Sequence, residues 1–222
     1  MKHVLLINLK TYNGGTGSNA LKLAKTASLL ASRHSGIEII LAAQPADIRM
    51  IASEAGIPVF AQHVDPVKFG SSTGWILPEA VKAAGASGTL LNHSERRIDI
   101  ETAKRSVARC RELGLRVVMC AESPEKAEEL ASLKPDYIAI EPPELIGGDI
   151  SVSKARPEVI TESIHKVNSA AHIPVLCGAG VKDAEDVRKA IELGAKGILV
   201  ASGVVKAKNP EEAIKDLLSG FA

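Results

Sequence analysis

Residues 115–141, LRVVMCAESPEKAEELASLKPDYIAIE, contain one full period of a pattern that runs through the whole chain. Leu115–Ala121 is a short, nearly continuous apolar run rich in β-branched residues, as expected of a parallel strand buried on both faces. Ser123 follows as a candidate N-cap, and Pro124–Leu133 has helical spacing with a Pro in the first turn. Asp136–Glu141 is the next apolar run. Strand, helix and strand joined this tightly predict a parallel pair with a right-handed crossover.

The unit repeats in both directions. Upstream lie the apolar runs His3–Asn8, Ile37–Ala42, Pro58–His63 and Thr89–His93, and downstream lie Ile173–Gly178 and Lys196–Ala201. Between them, Ser18–Arg33 sets Leu21, Ala24, Leu29 and Leu30 near one stripe, and Asp99–Leu113 opens on a second candidate cap. Asp183–Leu193 stops at Gly194, which suits a helix C′ position, and Pro210 starts a last helix, Pro210–Ser219. Eight strands, each followed by a helix without interruption, predict a (β/α)8 barrel, since eight such units close naturally. No Gly/Ser-rich linker divides the 222 residues, so residues 1–222 are expected to form a single domain of class α/β.

Composition narrows the function. Lys plus Arg (27) almost cancels Asp plus Glu (26), and aromatics are only 3%, which leaves neither a basic footprint nor stacking platforms for nucleic acid. No run approaches the ~20 apolar residues of a membrane span. Met1-Lys2-His3 leads straight into a strand-like VLLIN, so a cytoplasmic location is expected. Cys110, Cys120 and Cys177 lack CxxC spacing and read as reduced, partly buried thiols. Six scattered histidines without HExxH suggest no metal, and Gly178-Ala179-Gly180 falls short of a dinucleotide fingerprint, so no cofactor is expected.

In such a barrel, chemistry sits at the carboxyl ends of the strands. Polar residues gather there: Asn8-Leu9-Lys10, Gln62-His63, Asn92-His93-Ser94-Glu95 and Glu141. The last two strands end instead in Gly178-Ala179-Gly180 and Ala201-Ser202-Gly203, small residues whose bare N–H groups suit a phosphate.

NLK after strand 1, AQH after strand 3, LLNHSERR after strand 4 and AIEPPELIGG after strand 6 together resemble the triosephosphate isomerase family, and its shorter archaeal branch in particular. The resemblance extends from the first strand through LVASGVVKAKNPEEAI. It implies interconversion of D-glyceraldehyde 3-phosphate and dihydroxyacetone phosphate through an enediolate. Glu141 would be the base and His93 the electrophile, opening a helical segment through Ser94-Glu95-Arg96 whose N-terminus keeps the imidazole neutral. Lys10 would attract the anion and stabilise developing charge, Asn8 would orient Lys10, and Glu95 would pair with it. His63 is not at the family's catalytic position and is given an interface or structural use. Substrate contacts carry over to Asn8, Leu9 and Lys10, and phosphate contacts to Ile146, Gly147, Gly180, Ala201 and Ser202. Gly180 stands where a serine is frequent in the family, and Ala201-Ser202 where two glycines are. Glu141–Lys154 would hold a lid, with Gly147 and Gly148 as its hinge.

His63–Trp75 (HVDPVKFGSSTGW) carries two aromatics and, by the same resemblance, docks into a neighbouring subunit in a homo-oligomer, dimer or tetramer. Thr73 would then reach the neighbour's Asn8 and Lys10; Trp75 stands where most relatives have an acidic residue. Two rival readings remain open at this point: a Schiff-base aldolase-type lyase using Lys10, and a non-catalytic phosphate-binding barrel.

Overall fold

The computed structural model describes residues 2–142, 145 and 152–221. Eight parallel strands pair in chain order and close on themselves: β1 (His3–Asn8), β2 (Ile37–Ala43), β3 (Val59–Ala61), β4 (Gly88–Leu91), β5 (Arg116–Ala121), β6 (Tyr137–Ile140), β7 (Val175–Cys177) and β8 (Gly197–Val200). Closure is made by β1 against β8, with Val4 opposite Gly197. A Cβ at position 197 would lie 2.1 Å from the Val4 carbonyl oxygen, so only glycine admits this approach.

Residues alternate along each strand. Val4, Leu6, Ile40, Phe60, Leu90, Val118, Leu176 and Leu199 fill the barrel, while Leu5, Ile7, Ile39, Leu41, Val117 and Ile138 join the core shared with the helices. Those helices are α1 (Gly17–Ala31), α2 (Pro45–Glu54), α3 (Pro78–Ala83), α4 (Ile100–Leu113), α5 (Pro124–Ala131), α6 (Val152–Ala155), α7 (Pro157–Ala170), α8 (Ala184–Glu192), α9 (Ser202–Val205) and α10 (Pro210–Ser219). Asp99, Ser123 and Asp183 cap α4, α5 and α8 by accepting the N–H three residues on. Gly194, with φ +98°, ends the turn after α8. At the amino-terminal rim, Arg116 grips Glu38 through two hydrogen bonds of 2.8 and 2.9 Å and lies over the Phe60 ring, closing the bottom of the barrel.

The structure corrects the sequence reading at three places. Leu29 is not on the buried stripe of α1 but 52% exposed; the stripe is Ala20, Leu23, Ala24, Ala27 and Leu30. Nine residues at 3.6 per turn put Leu29 opposite Ala20. The strict strand–helix alternation is interrupted by two four-residue helices, α6 and α9, ahead of α7 and α10. And His93–Arg96 does not open a helix: it forms a turn, with the Arg96 N–H on the His93 carbonyl at 2.7 Å, and α4 starts only at Ile100.

Candidate active site

Three chemically distinct side chains converge where β1, β4 and β6 end. Glu141 leaves β6 with its N–H held by the Ala121 carbonyl at 2.8 Å, and its side chain turns into the barrel mouth, 3% exposed. A Cβ on residue 178 would come within 2.6 Å of the Glu141 Cγ, so Gly178 is what makes room for the carboxylate. Burial pushes the Glu141 carboxyl above the usual carboxylate range, against the opposing pull of His93, the Cys120 thiol and Lys10.

His93 is held by its neighbours on both sides. Asn92, at φ +57°, donates through Nδ2 to the Cys120 carbonyl at 2.9 Å and accepts the Ile98 N–H at 3.0 Å, which pins the turn. The Glu95 N–H donates to His93 Nδ1 at 3.1 Å. Nδ1 is therefore an acceptor, and the single proton of the neutral ring sits on Nε2. The tautomer is thus set by one backbone donor rather than by a helix N-terminus. His93 Nε2 lies 3.5 Å from Glu141 Oε1 without a hydrogen bond, and His93 Nε2 and Glu141 Oε2 are both buried without a partner among the described residues. A donor and an acceptor left open side by side, in so buried a place, suit a ligand.

Lys10 follows β1 at φ +47°, a conformation that L-residues rarely take. Its N–H donates to Asn8 Oδ1 at 3.0 Å, and its side chain, 10% exposed, pairs through the ammonium with Glu95 Oε1 at 2.9 Å. Lys10 lines two neighbouring lobes at the barrel mouth. One is lined by Glu141, Gly178, Gly180, Ala201, Ser202 and Gly203, with Tyr12 and Lys182. Gly180, at φ +71°, and the first turn of α9 line this lobe; helical N–H groups at such a start have no intrahelical partner. The other lobe is lined by Asn8, Gln62, His63, Ile76, His93, Glu95 and Arg96.

Some anticipated residues lie elsewhere. Leu9 is fully buried against Gly15 and gives its N–H to Ala42, and it does not line the cleft. Thr73 is exposed and does not line its own chain's cleft. Ile146, Gly147 and Gly148, and with them the anticipated hinge, lie outside the described residues. His63 is buried and bonded to Asp65 at 3.1 Å, and its burial lowers its pKa. All three cysteines are buried, more deeply than anticipated. Tyr12 and Lys182 were not foreseen: Tyr12 lies under the Lys206 ammonium at 4.4 Å, and no motif points to either. Among the described residues no group of three or more His, Cys, Asp or Glu is placed to hold a metal ion.

A buried carboxylate, an imidazole and a fixed cation thus meet at the carboxyl ends of the strands, beside a lobe lined largely by small residues, an arrangement suited to moving a proton. The comparisons take this further. The model of the triosephosphate isomerase family matches residues 3–217, and the chain belongs to that family. A curated triosephosphate isomerase from Methanocaldococcus jannaschii is 48% identical over 216 residues, covering 97% of this chain and 98% of the relative. Others, from Methanosarcina acetivorans (48%, covering 96% of each chain) and Saccharolobus solfataricus (44%, covering 97% of this chain and 95% of the relative), match over similar lengths.

Proposed function

We propose that this chain interconverts D-glyceraldehyde 3-phosphate and dihydroxyacetone phosphate, with Glu141, His93 and Lys10 carrying the reaction. Glu141 removes the proton from the carbon next to the carbonyl, and the electron pair shifts onto the carbonyl oxygen; that oxygen takes up a proton while the neighbouring hydroxyl gives one up to become the new carbonyl, and Glu141 returns its proton to the former carbonyl carbon. His93 Nε2–H donates to the oxygens that gain charge, and Lys10 stabilises the enediolate, placed by Asn8 and paired with Glu95. Such fixed donors act most strongly where water is excluded. The phosphate sits in the lobe formed by Gly180, Ala201 and Ser202, with Ile146 and Gly147 as its further contacts.

The observation that carries this reading is the buried pair of His93 Nε2 and Glu141 Oε2, without a hydrogen-bond partner among the described residues, beside the ammonium of the lysine that follows an apolar strand. The aldolase alternative fits less well, because the Lys10 amine is engaged as a cation by Glu95 rather than presented as a free nucleophile. A coupled assay with each triose phosphate as substrate tests the reading: turnover in both directions is expected, with no covalent labelling on borohydride treatment. Borohydride-trapped substrate, or binding without turnover, would overturn it.

The rest of the proposal concerns the setting. Residues 1–222 act as one catalytic domain in the cytoplasm; among the described residues, no helix is long and apolar enough to cross a membrane. The chain works as a homo-oligomer, dimer or tetramer, through the His63–Trp75 loop, with Thr73 completing a neighbour's site.

A further inference from the structure

Building on the isomerase reading, we propose that Gln62 is a positioning residue for Lys10: its amide locks the lysine backbone in the left-handed conformation that delivers the ammonium into the cleft. Lys10 is one of three non-glycine residues with positive φ among those described. A left-handed L-residue crowds its own Cβ and persists only where its surroundings hold it. Here each of its backbone polar groups is caught by a side chain. The Lys10 N–H donates to Asn8 Oδ1 at 3.0 Å, and the Lys10 carbonyl accepts from Gln62 Nε2 at 2.9 Å.

The same Gln62 nitrogen lies 3.3 Å from Asn8 Oδ1 and 3.3 Å from the carbonyl of Ala42 in β2. One amide following β3 thereby ties together the ends of β1 and β2. It also explains how Asn8 is turned. Asn8 must present its oxygen, because both the Lys10 N–H and the Gln62 amide point at that atom. Without Gln62, the Lys10 carbonyl loses its donor and the strained φ loses half of its support. Relaxation toward negative φ swings a four-carbon arm, so a small backbone change carries the ammonium away from Glu95 and from the space beside His93. Gln62 itself has no hydrogen bond to Glu141 or His93 in the structure; its effect runs through Lys10.

A double-substitution cycle tests this. Isomerase kcat and KM are measured for the parent chain, Gln62→Met, Lys10→Met and the double variant, Met matching Gln in length but lacking a donor. Gln62→Met is expected to lower kcat/KM by about 10- to 100-fold, as misplacement of a substrate-facing group does. KM should rise as kcat falls, whereas a loss of folded protein would lower kcat alone. In the Lys10→Met background the same change should cost nothing further, since both act through one ammonium. Should Gln62→Met not fold, Gln62→Glu, which has no N–H, takes its place in the same cycle. Undiminished activity in the single variant, or an equal loss in both backgrounds, overturns the proposal. A parent chain without isomerase turnover would instead overturn the reading on which it rests.

Discussion

Glu141, the proposed base, sits where its charge is disfavoured, and the fold bears the cost of that. Burial raises its pKa above the ordinary 4.5. The unfolded chain therefore releases this proton at lower pH than the folded one. From pH 4.5 upward folding is penalised, and the penalty reaches its full size only above the raised folded pKa. Glu141→Gln carries no charge at any pH. In denaturant unfolding it should gain stability on the parent as pH rises from 4 to 8, while losing turnover; a constant difference between the two pH values would refute this. Activity of the parent should show an acid limb above pH 4.5, as protonation removes the base. Gly178 makes a second case. Its absent side chain leaves the space that the Glu141 Cγ needs, and a Cβ there would also lie 3.0 Å from the Ile140 carbonyl oxygen. Gly178→Ala should displace the carboxylate and cut kcat by up to about 100-fold in a barrel that still unfolds cooperatively. Near-parental kcat would show that the carboxylate has slack that its burial does not suggest.

Each strand–helix unit has its own punctuation, and one example can be tested in isolation. Ser123 accepts the Lys126 N–H and starts α5, with Pro124 in the first turn. Ser123→Ala removes that acceptor and should cost about 1 kcal/mol. In a chain of this length that is roughly 2–4 °C in Tm by calorimetry, with kcat unchanged. An unchanged Tm would mean that water replaces the cap fully. At this scale the sequence was most informative, because strands buried on both faces must be apolar throughout and cannot be mistaken for surface loops. The caps Asp99 and Ser123, and Pro210 at the head of α10, were legible for the same local reason. The four-residue α6 and α9 were not, since one turn of helix has no period to read. The placing of Leu29 failed because leucines at 21, 23, 29 and 30 allow more than one stripe, and packing against the barrel decides between them. Within the site, residue types at strand ends pointed to Asn8, Lys10, His93 and Glu141, which the fold brings together. The contacts that tune them were hidden. The Glu95 N–H that sets the His93 tautomer depends on the turn geometry, and Gln62 reaches Asn8 across 54 positions of sequence.

The whole molecule leaves one surface unaccounted for by a lone barrel. Phe69 is 79% exposed and Trp75 56%, two of only six aromatic side chains in the chain. The loop that carries them is rigid at its base: Asp65 accepts the Ile76 N–H at 2.6 Å and gives its own N–H to the Ile76 carbonyl at 2.9 Å. Arg96 binds the same carboxylate at 3.2 Å, which fastens the loop to the turn that carries His93. A net charge of +1 offers little electrostatic repulsion between copies. An apolar projection of this kind, stiffly mounted beside the lobe that contains Lys10 and His93, fits insertion into a second copy of the chain. Sedimentation velocity at micromolar concentration should give a multiple of 23.3 kDa for the parent, and the single-chain mass for Phe69→Asp combined with Trp75→Asp. The separated chain should also lose turnover, by about 10- to 100-fold if Lys10 and His93 are left short of their final geometry. The Tm of the parent should rise with protein concentration while that of the variant does not. A parent that sediments as a single chain with full activity would show that the barrel completes its site alone, and the exposed aromatics would then need another partner.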